Sequence, residues 1–501
     1  MINELSESRL EDLKNDKFFS DLIINRGIEK EFFRVDKNGY ISKRPHPISL
    51  GSALTNRYIT TDFAEAQLEL VTPVFTKIDD LHDFLLKLHV FVSQNIDSDE
   101  MLWPFSMPPH IQNESDINIG FYHQSNIGLL KHVYRKGLRV RYGATMQCVS
   151  GMHYNFSVDK HSLNKLVNAY SQAEYNDIYL GLIRNFKRLF WFVLCEFGQT
   201  NVVDKSFVQG RSHKLDELNK KDMFLKDATS LRMSEIGYVS KAQKNLNVKY
   251  NSLEEFLANI KDAITIPYSD FKQKGLLDNN GDYHQISDGI IQIENEYYDS
   301  IRPKRASEVG LRPFDQLKKF GIEYLEVRGI DIDSNEETGI SKYHIQFLDL
   351  ILIYCLISQS PKITDTEKLN IDKNDMEAVY AGRNPNTFLN FESGEISIKN
   401  AKTLVYRDLM LLAKYFNDSE KIIDSINFVK NYNKAMLPSN TFHGDGVMRA
   451  HEVTESLRKH NNNKFANIKE EAELSLKRLS DINENSFEEM NKFVKNYNES
   501  I

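Results

Sequence analysis

The chain has 501 residues, 41% hydrophobic and 27% charged, and its 71 acidic residues exceed the 63 basic ones for a net charge of −8. That length allows about three domains or one large α/β body. The acidic balance argues against a general nucleic-acid binder, yet leaves room for a locally positive pocket that takes a small anion. Three scattered cysteines, Cys148, Cys195 and Cys355, lack C-x-x-C spacing. They speak against a disulfide framework or a zinc site and suit a reducing cytoplasm.

Residues 4–25 carry Leu5, Leu10, Leu13, Phe18, Phe19 and Leu22 at helical spacing, after an acidic start without a signal-peptide core. Residues 27–35 read as a strand, and Asn38-Gly39 as a turn that closes a hairpin onto Tyr40 and Ile41. Residues 58–72 read as a second strand, ended by Pro73. A helix is expected over 78–97, a loop over 104–128, a strand over 144–158 interrupted at Ser150-Gly151, and long helices over 162–198. Residues 286–298 and 321–332 complete the strand set, and helix dominates from 343 onward. The most apolar windows, 189–195 and 347–357, are too short to span a bilayer, and the second contains Asp349. Strands fall in the first two-thirds and helices in the last, without βαβ alternation. The expectation is an α+β body with an antiparallel or mixed sheet.

Two strand candidates place carboxylates on alternate residues: Glu29 and Glu31 in GIEKEFFRV, and Glu326, followed by Arg328, in GIEYLEVRGIDI. Residues i and i+2 of a strand share a face. Like charges stacked there cost energy unless a cation sits between them, so the pattern points to divalent metal ions. Asp62, Glu65 and Glu69 form a further acidic cluster, whose plainer reading is a solvated strand face. His153, Asn155 and Ser157 alternate on one side of the next strand; a lone histidine is more often structural, but the carboxylates nearby in the pattern need co-ligands. Cationic and aromatic groups come together at 134–142, 230–238 and 294–305, where bidentate anion binding by arginine competes with ordinary surface salt bridges as an explanation. No P-loop, nucleophile elbow, H-E-x-x-H or Rossmann fingerprint is present. If ATP binds, metal ions on carboxylates must hold its phosphates.

Taken together, GIEKEFFRV, LGSALTNRYITTDFAEAQLELVTP, MLWPFSMP, SNIGLLKHVYRKGLRVRYGATMQCVSGMHYNFS, SLRMSEIGY, QIENEYYDSIRPKR and GIEYLEVRGIDI resemble the bacterial glutamate–cysteine ligase family of γ-proteobacterial type. They lie in family order over about 25–360; beyond about 390 the resemblance thins, apart from the turn Ala381-Gly382-Arg383-Asn384-Pro385. The resemblance implies a glutamine-synthetase-like fold, with a sheet curved around an active-site cavity and helices outside. It implies one catalytic body over 1–501, with 25–360 carrying the site and a charged helical segment at about 440–501 of unassigned role. It implies ATP-dependent ligation of the glutamate γ-carboxylate to the cysteine amine through γ-glutamyl phosphate, the first step of glutathione synthesis, in a cytoplasmic monomer that uses Mg²⁺ or Mn²⁺ and needs neither nucleic acid nor membrane.

Residue by residue, the resemblance implies Glu29, Glu31, Asp62, Glu69, His153 and Glu326 as metal ligands, and Arg328 and Arg232 as catalytic. It implies a substrate pocket of Phe63, Tyr134, Arg135, Leu138, Gln147, Val149, Tyr238, Asn295 and Tyr298, in which Val149 stands for a larger aliphatic. The alternatives are another ATP-dependent carboxylate–amine ligase or a guanidino phosphotransferase on the same fold, and a non-catalytic acidic binding protein with Ca²⁺ sites. The cysteines lie among apolar residues, so no covalent enzyme intermediate is expected.

Overall fold

The computed structural model describes residues 5–167, 171–237, 240–306, 312–432, 438–461, 465–484 and 487–501. Its strands are β1 (Ile24–Asp36), β2 (Ile59–Thr61), β3 (Gln67–Val71), β4 (Glu100–Leu102), β5 (Met152–Val158), β6 (Val202–Asp204), β7 (Asp216–Glu217), β8 (Asp222–Phe224), β9 (Ile301–Lys304), β10 (Tyr324–Ile330), β11 (Phe388–Phe391) and β12 (Gly394–Ser397). The main sheet runs β2-β3-β1-β5-β10-β9, with β4 also paired to β1. Its pairings are all antiparallel, so the architecture is α+β. Small sheets β6-β8-β7 and β11-β12 lie apart from it.

Alternation decides which face of the sheet does what. Ile28, Tyr154, Phe156, Leu325 and Val327 are buried in one hydrophobic cluster with the helices Gln172–Phe197 and Lys342–Ile357. Their sequence neighbours Glu29, His153, Asn155 and Glu326 therefore point to the opposite face. The apolar helix Lys342–Ile357 holds its single acid by pairing it: Asp349 accepts from Arg26 at 2.7 Å and from the Tyr154 hydroxyl at 2.6 Å. No helix among the described residues is long and apolar enough to cross a membrane.

Several sequence expectations shift. The 58–72 strand is two strands, because Asp62 N–H bonds to the Gln67 carbonyl and Gln67 N–H to the Ala64 carbonyl, closing a turn over 62–66. Glu65 sits in that turn, where its carboxylate accepts the backbone N–H groups of His46 and Phe121. Residues 286–298 form no strand; a 3-10 turn spans Glu294–Glu296 and the strand begins at Ile301. Buried Glu296 organises that bend by accepting from Arg141 at 3.1 Å and from the Gln292 N–H at 2.8 Å. The 104–128 loop gives way to a helix, Asn126–Tyr142, whose cap Ser125 accepts from the Gly128 N–H. The first helix is confined to Glu7–Asn15.

Candidate active site

Five adjacent strands, β3-β1-β5-β10-β9, set the site by register. Glu29 pairs with His153, Glu31 with Glu69, and Glu326 with both Asn155 and Arg302. Glu29 Oε2 lies 3.1 Å from His153 Nδ1, and Glu29 Oε1 accepts from Asn155 Nδ2 at 2.8 Å. His153 Nε2 lies 3.4 Å from Glu31 Oε1, and the Gly151 N–H donates to Glu31 Oε2 at 2.9 Å. Ligand atoms of Glu29, Glu69 and His153 all fall within 4.8 Å of one another. Carboxylate oxygens with one imidazole and no thiol are a donor set for a hard or borderline divalent cation.

The protonation states follow from this crowding. Burial raises the Glu29 pKa, but the hydrogen bond and charge of His153 outweigh it and hold the group at about 2. Burial, then the charge of Asp62, pushes Glu31 up to about 7. Burial and the charges of Glu29, Asp62 and Glu31 raise Glu69 well above the usual range. Burial also raises Asp62. Burial would lower His153, yet Glu31, Glu29 and Glu326 around it raise it to about 9. The cluster holds protons where its carboxylates have no cation to face.

Glu326 is held differently. Its Oε2 accepts from Arg302 Nε at 3.0 Å and Nη2 at 2.7 Å and lies 3.4 Å from Arg328 Nη1, while Oε1 lies 3.2 Å from Lys304 Nζ. Burial raises its pKa, but Arg302 and Lys304 outweigh burial and lower it. Arg232 is almost wholly buried and fixed on two sides: Nε donates to Asp331 at 2.7 Å, and Nη2 to the carbonyls of Ile330 and Arg328 at 2.8 and 3.1 Å. Asp331 also accepts from Ser230, Thr200 and the Gln199 N–H, so it is locked in turn.

The ionisable side chains of this cluster, with Arg232 and Arg328, line one cavity of about 260 Å³. Glu29, Glu31, Asp62, Glu69, His153, Glu326, Arg232 and Arg328 are in its wall, as are Phe63, Tyr134, Arg135, Leu138, Gln147, Val149, Asn295 and Tyr298. Tyr238 lies outside the described residues. Arg135 is committed to the scaffold: its guanidinium bonds the carbonyls of Asp62 and Thr61 and lies 4.6 Å from the centroid of the Tyr122 ring. The Tyr298 hydroxyl donates to Gln147 Oε1 at 3.3 Å. Lys131, Arg302 and Lys304 also line the cavity and were not singled out from the sequence. For the last two the signal was available: residues 302 and 304 alternate on a strand, as Glu326 and Arg328 do.

A cavity whose wall brings carboxylates and an imidazole together with guanidinium and ammonium groups defines an enzyme site for anionic substrates. Comparison with known proteins makes this specific. The profile of the family described as glutamate-cysteine ligase matches residues 8–378. Glutamate–cysteine ligase from Hahella chejuensis is 42% identical over 387 residues, covering 76% of this chain and 74% of the relative. That of Shewanella pealeana is 38% identical over 429 residues, 84% and 82% of the two chains. The crystal structure of glutamate–cysteine ligase from Francisella tularensis in complex with AMP is similar at a TM-score of 0.87 and 31% identity, covering 95% of this chain and 98% of that one. A bifunctional glutathione synthetase from Pasteurella multocida shares the fold at a TM-score of 0.66 and 23% identity, over 91% of this chain and 54% of that one. The chain belongs to the glutamate–cysteine ligase family.

Proposed function

We propose that this cavity performs the ATP-dependent joining of the glutamate γ-carboxylate to the amine of cysteine. A carboxylate is a poor electrophile, so the γ-phosphoryl of ATP first moves to it, giving an acyl phosphate. The cysteine amine then attacks the carbonyl carbon, the amine loses its proton, and phosphate departs. The product is γ-glutamylcysteine. Both substrates of the first step are anions, and their mutual repulsion is the main barrier that residues here can lower.

Glu29, Glu31, Asp62, Glu69, His153 and Glu326 would hold divalent cations, Mg²⁺ or Mn²⁺, at the acidic end. Such ions supply positive charge against the phosphates. Arg328, Arg302 and Lys304 supply fixed positive charge beside them, and the preorganised Arg232 presents its remaining edge to the transferring phosphoryl or the tetrahedral carbon. Phe63, Leu138 and Val149 bound the cysteine side chain, with Gln147, Asn295 and Tyr298 as polar partners. Arg135 and Tyr134 shape that wall. A site discriminating by size and polarity alone gains only about 1–3 kcal/mol against a near-isostere, so 2-aminobutyrate is expected to be accepted.

The observation that carries the reading is the convergence of carboxylates from β1, β3 and β10 and of cations from β9 and β10 on one cavity, in a chain of this family. ADP release, measured with glutamate, cysteine and Mg²⁺ and then with each omitted, tests it. Turnover should vanish without glutamate or the metal. ADP release that ignores both amino acids, or that prefers an unrelated amine to cysteine, would overturn the assignment.

A further inference from the structure

A second cavity, of about 730 Å³, lies on the helical side of the molecule and shares no lining residue with the first. It sits between the end of helix Gln172–Phe197, the turn after helix Asp365–Ala381 and the first turns of helix Ile398–Ala413. That turn is Ala381-Gly382-Arg383-Asn384-Pro385, which the sequence singles out and the catalytic cavity does not use.

We propose that this cavity binds an organic oxyanion of two or more negative charges with an apolar body. Arg383, Lys399, Lys402, Arg407 and Lys430 line it, in a chain whose net charge is −8. Its one lining carboxylate, Glu196, is paired with Lys402 at 2.6 Å, and Arg407 is paired with Asp408 at 2.9 Å. Arg383, Lys399 and Lys430 form no ion pair with a carboxylate among the described residues. Three cations thus line one cavity without a carboxylate in contact, Asp331 and Asp227 acting on Arg383 only from a longer distance.

Arg383 makes the stronger point. Its Nη2 donates to the Gly198 carbonyl at 3.1 Å, but Nη1 is buried and has no hydrogen-bond partner. A buried guanidinium N–H left unsatisfied costs free energy. Its place is also imposed: a Cβ on Gly382 would lie 2.4 Å from the Ala378 carbonyl oxygen and 2.7 Å from Thr229 Cγ2, so the turn is pressed against the body and Arg383 has little room to withdraw. An oxyanion on Nη1 satisfies the donor and the charge at once. Ile398, Met410 and the Tyr406 ring, with Lys430 Nζ 5.4 Å from its centroid, give the apolar part of a ligand a surface.

Phosphate esters and polycarboxylates share this chemistry, and titration calorimetry with 1-naphthyl phosphate and with naphthalene-1,4-dicarboxylate separates them. The catalytic cavity is kept filled with saturating ADP and Mg²⁺. One saturable site is expected in the wild type, with the better probe identifying the head group. Arg383→Gln and the surface double variant Lys399→Glu/Lys430→Glu should each weaken it by about tenfold or more. The double variant, far from the catalytic wall, should keep wild-type ligase turnover. No saturable binding by either probe in the wild type, or equal affinity in the double variant, would overturn the proposal.

Discussion

Glu326 shows how one residue can serve two partners. In the fold as it stands its carboxylate is gripped by Arg302, Lys304 and Arg328. On the proposed function, a cation beside Glu29, Glu69 and His153 would compete with those side chains for it and turn them toward phosphate. Glu326→Gln removes the charge and keeps the shape, and should lower kcat/KM for ATP turnover by about 100-fold or more while leaving the circular dichroism spectrum unchanged. Unaltered turnover would make the cluster ornamental. Proton competition gives a second expectation. Glu31, raised to about 7 by burial and Asp62, and His153, raised to about 9 by its carboxylate neighbours against the effect of burial, carry protons in slightly acid solution. A divalent cation must displace them, so Mg²⁺ affinity measured by calorimetry should tighten from pH 6 to pH 8, with proton uptake by the buffer. A flat profile would contradict the assignment of these two groups. The acidic half of the site was legible in the sequence because carboxylates at i and i+2 on a strand are costly without a reason. Arg302 and Lys304 were harder to use, since cations alternating on a strand are ordinary on any surface and the sequence placed the strand at 286–298 rather than at Ile301–Lys304.

At the scale of elements, the site depends on how β5 begins. Gly151 gives its N–H to Glu31 Oε2 and its carbonyl to the Glu31 N–H. A Cβ there would lie 2.6 Å from Arg232 Nη1 and 2.9 Å from its Cζ. Arg232 cannot step aside, because Asp331 and two carbonyls hold its other nitrogens. Gly151→Ala should therefore push the guanidinium out of line, at a cost of about 1–3 kcal/mol in stability. A displacement near 1 Å at a reacting group costs on the order of 100-fold in rate. The expected signature is a kcat loss larger than the change in urea midpoint accounts for; an active Gly151→Ala enzyme would show that Arg232 is not where phosphoryl transfer occurs. The Ser150-Gly151 interruption was readable from the sequence, whereas its cause was not, because Arg232 comes some eighty positions later in the chain. The same holds for 58–72 and 286–298. Local pattern favoured strand in both, and contacts from elsewhere broke it: the His46 and Phe121 N–H groups on Glu65 in the 62–66 turn, and the Arg141–Glu296 pair beneath Glu294–Glu296.

Over the whole molecule, distant segments brace the cavity wall. The last helix, Phe487–Glu499, places Met490 and Val494 against Val133, which directly precedes Tyr134 and Arg135. Arg312 ties the same helix to the 294 bend, donating to the Tyr497 carbonyl at 2.6 Å and pairing with Glu294 at 3.2 Å. A charged terminal stretch with helical pattern was visible in the sequence, but its docking face was not, because its apolar positions find their partners at Val133 and Ile286, far earlier in the chain. A second brace lies under Tyr298 and Arg302. Buried Asp299 accepts from Lys187 at 2.6 Å, Tyr250 at 2.6 Å and Tyr297 at 2.9 Å. Burial alone would raise the Asp299 pKa; the charge of Lys187 and these hydrogen bonds outweigh it and lower the value. A carboxyl with a lowered pKa in the folded state adds stability that is complete above its ordinary pKa and is lost as pH falls through the lowered one. Asp299→Asn leaves Lys187 buried without its counter-charge, a loss of about 3–5 kcal/mol in unfolding free energy at pH 7. The gap between wild type and variant should narrow in urea titrations carried out below the ordinary carboxylate range, where the wild-type group takes up a proton as well. A gap independent of pH would mean that the ion pair contributes nothing and that packing alone holds Tyr298 and Arg302 against the cavity.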